Sequence, residues 1–444
     1  MAIAILGAGI GGLATAWHLQ KRGVAYDLFE ASPAEVGGAM RSVQIGPYLL
    51  ELGPNSLQLS PELEELITEV GLSSQLMDTA AVSQHRYVLR AGRLLHLPAS
   101  PPALLTSGYF SLTTKLKLLA ELLRRPGRPV PPDTTLAAFF RERFGSEVVD
   151  YALSPFVAGV WAGDPDQLLV SETLPRLITL ANQYGSLLRG FARSAGSAAR
   201  RRIVSFREGA GQLPRALAAG LHHFHPGAPV RAVHRQPDGL FRVELTNGPA
   251  PRAAYRHLVL ALPAWAAAPL LRQALPEFAS LLAAVYYPPM AAVQLAYPRV
   301  AVRHELNGFG ALYPRREGRL MAGSIWSSSL YPDRCPTDQV LITSFVGGAQ
   351  NPDGPAKSDA DLIDAVDAEL RQLYGITATP VFQNLVRWPR AIPQPDARIV
   401  PVRAALPALR QQQVWAVASW AAGVGVPDVL SEARRIAGVL ASSA

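Results

Sequence analysis

The sequence predicts a mixed fold, α/β in its opening segment and α+β further along. Three observations carry this: an apolar strand running through a glycine-rich turn into a helix, a long middle stretch with helical spacing, and a change to a period of two after about Ile203. Ala2–Leu6 is a short buried strand, Gly7–Gly12 the turn, and Leu13–Arg22 a helix closed by Gly23. Ala25–Phe29 is a second strand that ends at Glu30. From about Ser60 to Arg202 the spacing is helical. Leu63, Leu66, Ile67 and Val70 share one face there, and Leu116, Leu118, Leu119, Leu122 and Leu123 form another apolar surface. Prolines in Leu97–Leu105 break these helices, and the Ala/Arg/Ser run Arg193–Arg202 reads as a mobile loop. Val230–Arg235, Phe241–Leu245 and His257–Leu262 alternate as strands, joined by the turn residues Pro237-Asp238-Gly239 and Asn247-Gly248. Strands at Ala291–Tyr297 and Val340–Val346, a helix at Asp359–Leu373 and a last helix at Asp428–Ala441 complete the reading.

Composition narrows the class. At 444 residues the chain has material for two or three domains and a large core. It is 49% hydrophobic and 17% charged, against about 25% charged in an average globular protein, which excludes a disordered chain. Lys+Arg exceed Asp+Glu by 42 against 34, a net charge of +8, which favours anionic partners: nucleic acid, lipid headgroups or an acidic small molecule. The single cysteine, Cys335, excludes an intramolecular disulfide framework and any multi-cysteine metal site, and points to a reducing compartment. No metal ligand set is read: His222, His223 and His225 sit together as a solvated turn without the rest of a site. No secretory signal or membrane span is expected, since Ala2–Leu6 lacks a cationic start, and Arg256–Leu271 is short and holds two prolines.

The chemistry concentrates in the opening turn. Gly7-x-Gly9-x-x-Gly12 follows a strand, opens a helix, and is followed by an acidic residue at the end of the next strand. Gly7 permits the tight turn, Gly9 lets backbone N–H groups approach a pyrophosphate, and Gly12 lets helix and strand pack closely. Glu30 can accept hydrogen bonds from a ribose, and an acidic residue there disfavours NADP. Gly37-Gly38-x-x-Arg41-Ser42 comes next, paired glycines that let backbone run against an extended cofactor, with Arg41 placed for its pyrophosphate. Glu51–Ser56 adds a second glycine-containing approach at Gly53. This succession points to FAD rather than NAD.

At this point the chain resembles the flavoproteins that include amine oxidases, phytoene desaturases and protoporphyrinogen oxidases. Later segments single out the last group: Phe156–Pro165 (F-V-A-G-V-W-A-G-D-P), Gly308–Pro314, Ser324–Arg334, Val346–Gly348, Trp388–Gln394 and Gly423–Asp428, all in the same order. The resemblance implies a split Rossmann-like FAD-binding domain (1–85 with 203–270 and 385–444), a β-sheet substrate domain (271–384) and a helical, membrane-contacting part (86–202). It implies non-covalent FAD, since no cysteine lies near the C-terminus, with Val230 beside adenine and Gly425, Val426 and Asp428 at the closing flavin motif. Asp428 opens the last helix, whose dipole could stabilise negative charge. Arg86 matches an arginine that holds a substrate propionate, and Gly159, Phe309, Leu312 and Phe345 match positions lining a macrocycle pocket.

The activity so implied is oxidation of protoporphyrinogen IX to protoporphyrin IX, with oxygen as acceptor, in haem synthesis. No side chain is singled out as a catalytic base, because positioning dominates this chemistry. Coproporphyrinogen III is the alternative substrate, and an amine or carotenoid oxidase of the same fold is a second class. Two departures from the family pattern, Pro395-Asp396-Ala397-Arg398 after Gln394 and Ala418-Ser419 before the last motif, keep open a third class, a non-catalytic flavin-binding protein. A cytoplasmic protein, peripheral on the membrane, without nucleic acid and with a homodimer left open, completes the expectation.

Overall fold

The computed structural model describes residues 2–97, 106–194 and 202–443. The three prolines of Leu97–Leu105 and most of the Arg193–Arg202 loop lie outside them. The chain forms two compact units, one of residues 1–78, 201–286 and 398–444, the other of residues 79–200 and 287–397. Mixed α/β structure with both parallel and antiparallel sheets is what the sequence predicts and what the chain has.

The first unit is built on a five-stranded parallel sheet, in the order Phe224–His225, Tyr26–Phe29, Ile3–Leu6, His257–Leu260, Val414–Ala416. A parallel sheet is covered on both faces, so its strands read as unbroken apolar runs; Ile3–Leu6 is buried at every position. The first helix, Ile10–Lys21, packs along the last helix, Val426–Ser442. Leu13, Ala14 and Leu19 of the one and Leu430, Ile436 and Leu440 of the other share a core with Ile3 and Ile5. Each such aliphatic side chain contributes about 1.5–3 kcal/mol by burial. The hairpin Ser42–Ile45/Tyr48–Glu51 and the antiparallel pair Val230–Arg235/Phe241–Leu245 are appended to this unit.

The second unit carries a seven-stranded sheet ordered Phe382–Trp388, Met290–Pro298, Gln339–Gly347, Met321–Ile325, Gly310–Leu312, Tyr87–Arg90, Arg93–His96. It is antiparallel except where Gly310–Leu312 meets Tyr87–Arg90. Ala291, Val293, Leu295 and Tyr297 alternate onto one face and are covered by the helix Asp359–Tyr374 through Leu362, Val366, Leu370 and Tyr374. Ser358 caps that helix by accepting from the Asp361 N–H, and Gly375, at φ +63°, ends it.

The stretch expected to be helical from Ser60 to Arg202 is not continuous. A hairpin, Tyr87–Arg90/Arg93–His96, interrupts it and joins the large sheet. Its two-residue turn places both Ala91 (φ 50°) and Gly92 (φ 72°) in the left-handed region, and the Glu317 carboxylate accepts both of their N–H groups at 2.9 and 3.1 Å. A tertiary carboxylate thus supports a turn that Ala-Gly alone does not announce. The apolar surface of helix Leu112–Leu122 also differs from a core face: Leu118 is buried, while Leu112, Leu116, Leu119 and Leu123 are 74%, 58%, 45% and 81% exposed. His225 is not part of a solvated turn; it stacks on Phe29 and contacts the buried Asp27 carboxylate at 2.8 Å.

Candidate active site

The candidate residues fall into two groups, one in each unit. In the first, Gly7 takes φ +99° and donates its N–H to the Phe29 carbonyl at 2.8 Å. A Cβ on Gly12 would stand 2.0 Å from the Gly7 carbonyl, so helix and turn are in backbone contact. Gly9 is the N-cap of the first helix and brings no side chain to its free N–H groups. The Glu30 carboxylate accepts the Ala8 N–H at 2.8 Å and the Ser32 N–H at 3.0 Å. The Gly37-Gly38 pair lies against the same turn: Gly37 donates to the Ala8 carbonyl at 2.8 Å, and a Cβ on Gly38 would sit 3.4 Å from the Gly9 Cα.

The remaining predicted positions gather near these. Arg41 pairs with Glu35, and its buried Nε has no hydrogen-bond partner among the described residues. A Cβ on Gly53 would fall 1.7 Å from the Ala39 carbonyl, so only glycine passes there. Gly425 is the N-cap of the last helix, Val426 its first residue, and Asp428 lies in its first turn, its carboxylate beside Gly423 and Gly425. That helix reaches the first through Val429, 2.8 Å from where a Gly11 Cβ would stand. Val230 begins a strand two residues beyond Ala228, whose N–H donates to the Glu30 carbonyl at 2.8 Å. Sequence reading missed the pin beneath this group: buried Glu51 accepts the Ala210 N–H at 3.0 Å, and Ser42 Oγ accepts the Gly211 N–H at 2.9 Å. The glycines of Gly209-Ala210-Gly211, a second glycine-rich run, were the available signal.

The second group lies on the face of the seven-stranded sheet opposite the helix Asp359–Tyr374. In-register pairing sets Val88, Leu312, Gly323, Phe345 and Ala292 in one row across five strands. Leu312 and Phe345 are half-buried. Arg86 precedes Val88 by two residues, and its guanidinium lies 4.9 Å from the centre of the Phe309 ring. Arg86 is open to solvent on one side, yet the surrounding chain desolvates it enough to lower its pKa. Among the described residues no carboxylate pairs with it. Gly159, on the helix Ser154–Trp161, places its Cα hydrogens against Leu312; a Cβ there would meet Leu312 Cδ2 at 3.1 Å.

Two of the quoted segments, and the residues that follow a third, Val346–Gly348, converge at the end of that helix. Trp161 O accepts from Gln394 Nε2 at 2.8 Å, Gly163 O from Gln350 Nε2 at 2.8 Å, and Ala162 O from the Ala349 N–H at 2.7 Å. Gln394 is buried, and so is Asp396 in the departing segment. The Pro395 carbonyl accepts the Leu169 N–H at 3.0 Å, and Arg398 lies over the Tyr286 ring at 4.5 Å. The Arg86 guanidinium, unpaired with any carboxylate among the described residues and beside an apolar, partly aromatic face, suits a flat ligand that carries a carboxylate.

Comparison with known proteins agrees in kind. The model of the flavin containing amine oxidoreductase family matches residues 10–441. A chloroplastic protoporphyrinogen oxidase of Nicotiana tabacum is 31% identical, over 88% of this chain and 75% of its own. The coproporphyrinogen III oxidase of Bacillus subtilis (strain 168) is 26% identical, over 97% of this chain and 96% of its own. A crystal structure from Exiguobacterium sp. 255-15, provisionally named a protoporphyrinogen oxidase, superposes with a TM-score of 0.83 at 23% identity, covering 100% of this chain and 99% of that one, and so shares the fold. The match spans both units, and the chain belongs to the flavin containing amine oxidoreductase family.

Proposed function

We propose that the protein is an FAD-dependent porphyrinogen oxidase of haem synthesis, which takes protoporphyrinogen IX to protoporphyrin IX with oxygen as acceptor. The observation that carries this reading is Arg86: a guanidinium without a carboxylate partner, over Phe309 and on the sheet face that presents Leu312 and Phe345. The names of the relatives supply the substrate class.

In this reading the parallel-sheet unit holds FAD without a covalent bond. The residues fit the group. Glu30 is fixed by two backbone donors and keeps lone pairs for a ribose, Gly9 and Gly38 leave open backbone where a side chain would intrude, and the unsatisfied Nε of Arg41 suits a pyrophosphate oxygen. Asp428 and the N-terminus of the last helix would lie at the ring end. Bound FAD supplies a two-electron acceptor that oxygen can regenerate. The protein's own part is positioning: Arg86 takes a propionate, while Leu312, Phe345 and Phe309 hold the macrocycle's flat faces and exclude water from them. Pyrrole protons leave without a dedicated side-chain base.

Peripheral membrane contact is part of the proposal. Leu112, Leu116, Leu119 and Leu123 follow one another at i, i+4, i+7 and i+11, so they form a single exposed apolar stripe, and Arg125 and Arg128 follow at its end. No helix among the described residues is long and apolar enough to cross a membrane.

The deciding experiment supplies the purified protein with protoporphyrinogen IX and coproporphyrinogen III in air and follows porphyrin fluorescence. Oxidation above the spontaneous rate is expected, and the ratio of the two rates assigns the substrate. The near-complete mutual coverage with the Bacillus relative makes the four-carboxylate substrate the second reading. Absence of oxidation with either compound would remove the proposal. Arg86→Ala is expected to raise KM about tenfold or more while lowering kcat less, since it deletes a charged hydrogen bond made in the ground state as well as the transition state.

A further inference from the structure

The parallel ladder that ends beside the glycine turn is finished by a side chain. Strand His257–Leu260 pairs with Val414–Ala416, and the Val417 N–H still donates to the Leu260 carbonyl at 2.9 Å. In a parallel pair the next carbonyl on that edge belongs to the residue two further on, Leu262. The register would bring it the N–H of Ser419, but there the chain has already entered the helical turn Ser419–Ala422. Trp420 takes over: its indole Nε1–H donates to the Leu262 carbonyl at 3.0 Å. The indole is fully buried and held from other sides. Its ring packs against Phe278, and the Arg403 Nε donates to the Trp420 carbonyl at 3.2 Å.

Leu262 in turn bears on the opening turn. Its Cδ2 stands 2.6 Å from where a Cβ on Gly7 would be, so the leucine fills the space that any side chain there would need. The Ala261 carbonyl beside it lies 3.1 Å from the same point. Gly7 holds φ +99° at the head of the turn that presents the free N–H groups of the first helix. An unpaired strand end frays, and fraying at Leu262 would loosen the packing against Gly7.

We propose that Trp420 is a positioning residue for the flavin cofactor: its indole N–H fixes the end of the strand, and Leu262 passes that constraint to Gly7, so the turn keeps the shape that receives a dinucleotide. The inference rests on the reading that this unit holds FAD. It adds to that reading a residue that acts through Leu262 and ties the segment before the closing flavin motif to the opening one.

The test follows FAD release from the holoenzyme on dilution, by recovery of free-flavin fluorescence. Trp420→Phe keeps a ring and deletes the N–H, and should release FAD about fivefold faster, the scale of one net hydrogen bond. Trp415→Phe is the matched control: it sits in the same sheet, and its buried indole nitrogen has no hydrogen-bond partner among the described residues. It should release FAD at the wild-type rate, which separates the bond from general loosening of the core. Leu262→Ala keeps the indole and removes the side chain over Gly7, so it tests the same path if Trp420→Phe does not fold. It should speed release by a similar factor, and adding Trp420→Phe to it should change the rate by less than about twofold. Release at the wild-type rate from Trp420→Phe, equal acceleration in Trp415→Phe, or full multiplication in the double variant overturns the inference. Wild-type protein that holds no FAD overturns the cofactor reading and the inference with it, whereas wild type that holds FAD with indifferent variants overturns the inference alone.

Discussion

Glu30 shows how much of the proposed cofactor site is settled before any ligand arrives. Both carboxylate oxygens accept backbone N–H groups, from Ala8 and Ser32, so the side chain cannot swing away and its outward lone pairs have a fixed direction. Glu30→Gln sets an amide N–H2 against one of those two donors. A hydrogen bond to a charged group contributes about 1.5–3 kcal/mol, so FAD affinity should fall about 10- to 100-fold. Flavin absorbance per protein after gel filtration measures it, and full retention would remove Glu30 from the ribose role. Gly7, Gly9, Gly12, Glu30 and the Gly37-Gly38 pair were legible in the sequence because each answers a local backbone demand. Glu51 was not: a buried carboxylate that pins Ser42 and Ala210 draws its partners from positions more than 150 residues apart.

The helix Leu112–Leu122 is an apolar ridge fastened from below at both ends. Ser111 caps it, and the Glu147 carboxylate gathers Arg90, Ser111 and Thr114 around that cap. Near the other end buried Glu121 accepts the N–H groups of Leu187 and Leu188, at the start of the helix Leu187–Ser194. Burial alone would raise the Glu147 carboxyl, but these donors outweigh it and bring the pKa to about 2. Its folded-state pKa is therefore below the unfolded value of about 4.3, and its stabilising contribution is present above that value and is lost as pH falls toward 2. Glu147→Gln should lower stability by about 2 kcal/mol at neutral pH, seen as a lower denaturant midpoint, and should flatten the acid limb below pH 4. The double substitution Leu116→Glu with Leu119→Glu should leave the fold and oxidase rate intact and abolish flotation with vesicles containing anionic lipid. Continued flotation would remove this helix as the contact. Leucines at helical spacing were legible; which of them face water was not, because the side that receives Glu121's partners is chosen by distant chain.

Over the whole molecule, the sequence pattern located some strands of the two larger sheets: His257–Leu260, Met290–Pro298 and Gln339–Gly347 fall within a residue or two of their expected ends, while Met321–Ile325, Phe382–Trp388 and Val414–Ala416 were not read as strands. Strand order was not legible, since β-pairing between residues 87 and 311 leaves no trace in either segment alone. The parallel-sheet unit also carries two buried histidines. Burial is the first cause that lowers His18 to about 4, and likewise His257. Their folded pKa values lie below the ordinary 6.5, so the unfolded chain takes up protons first as pH falls; the histidine contribution to stability should decline from about pH 6.5 to pH 4 and stay constant below, where the loss from Glu147 takes over. Thermal midpoints across that range check the sign, and His18→Gln should flatten part of the slope. The packing of Val426–Ser442 along Ile10–Lys21 has a further consequence, one of timing. During synthesis the first helix is made four hundred residues before its cover. Until then its apolar side faces water, and the glycine turn stands without Gly423–Asp428. Flavin capture on this reading must follow the making of the final helix, which places cofactor loading among the last events of the protein's maturation.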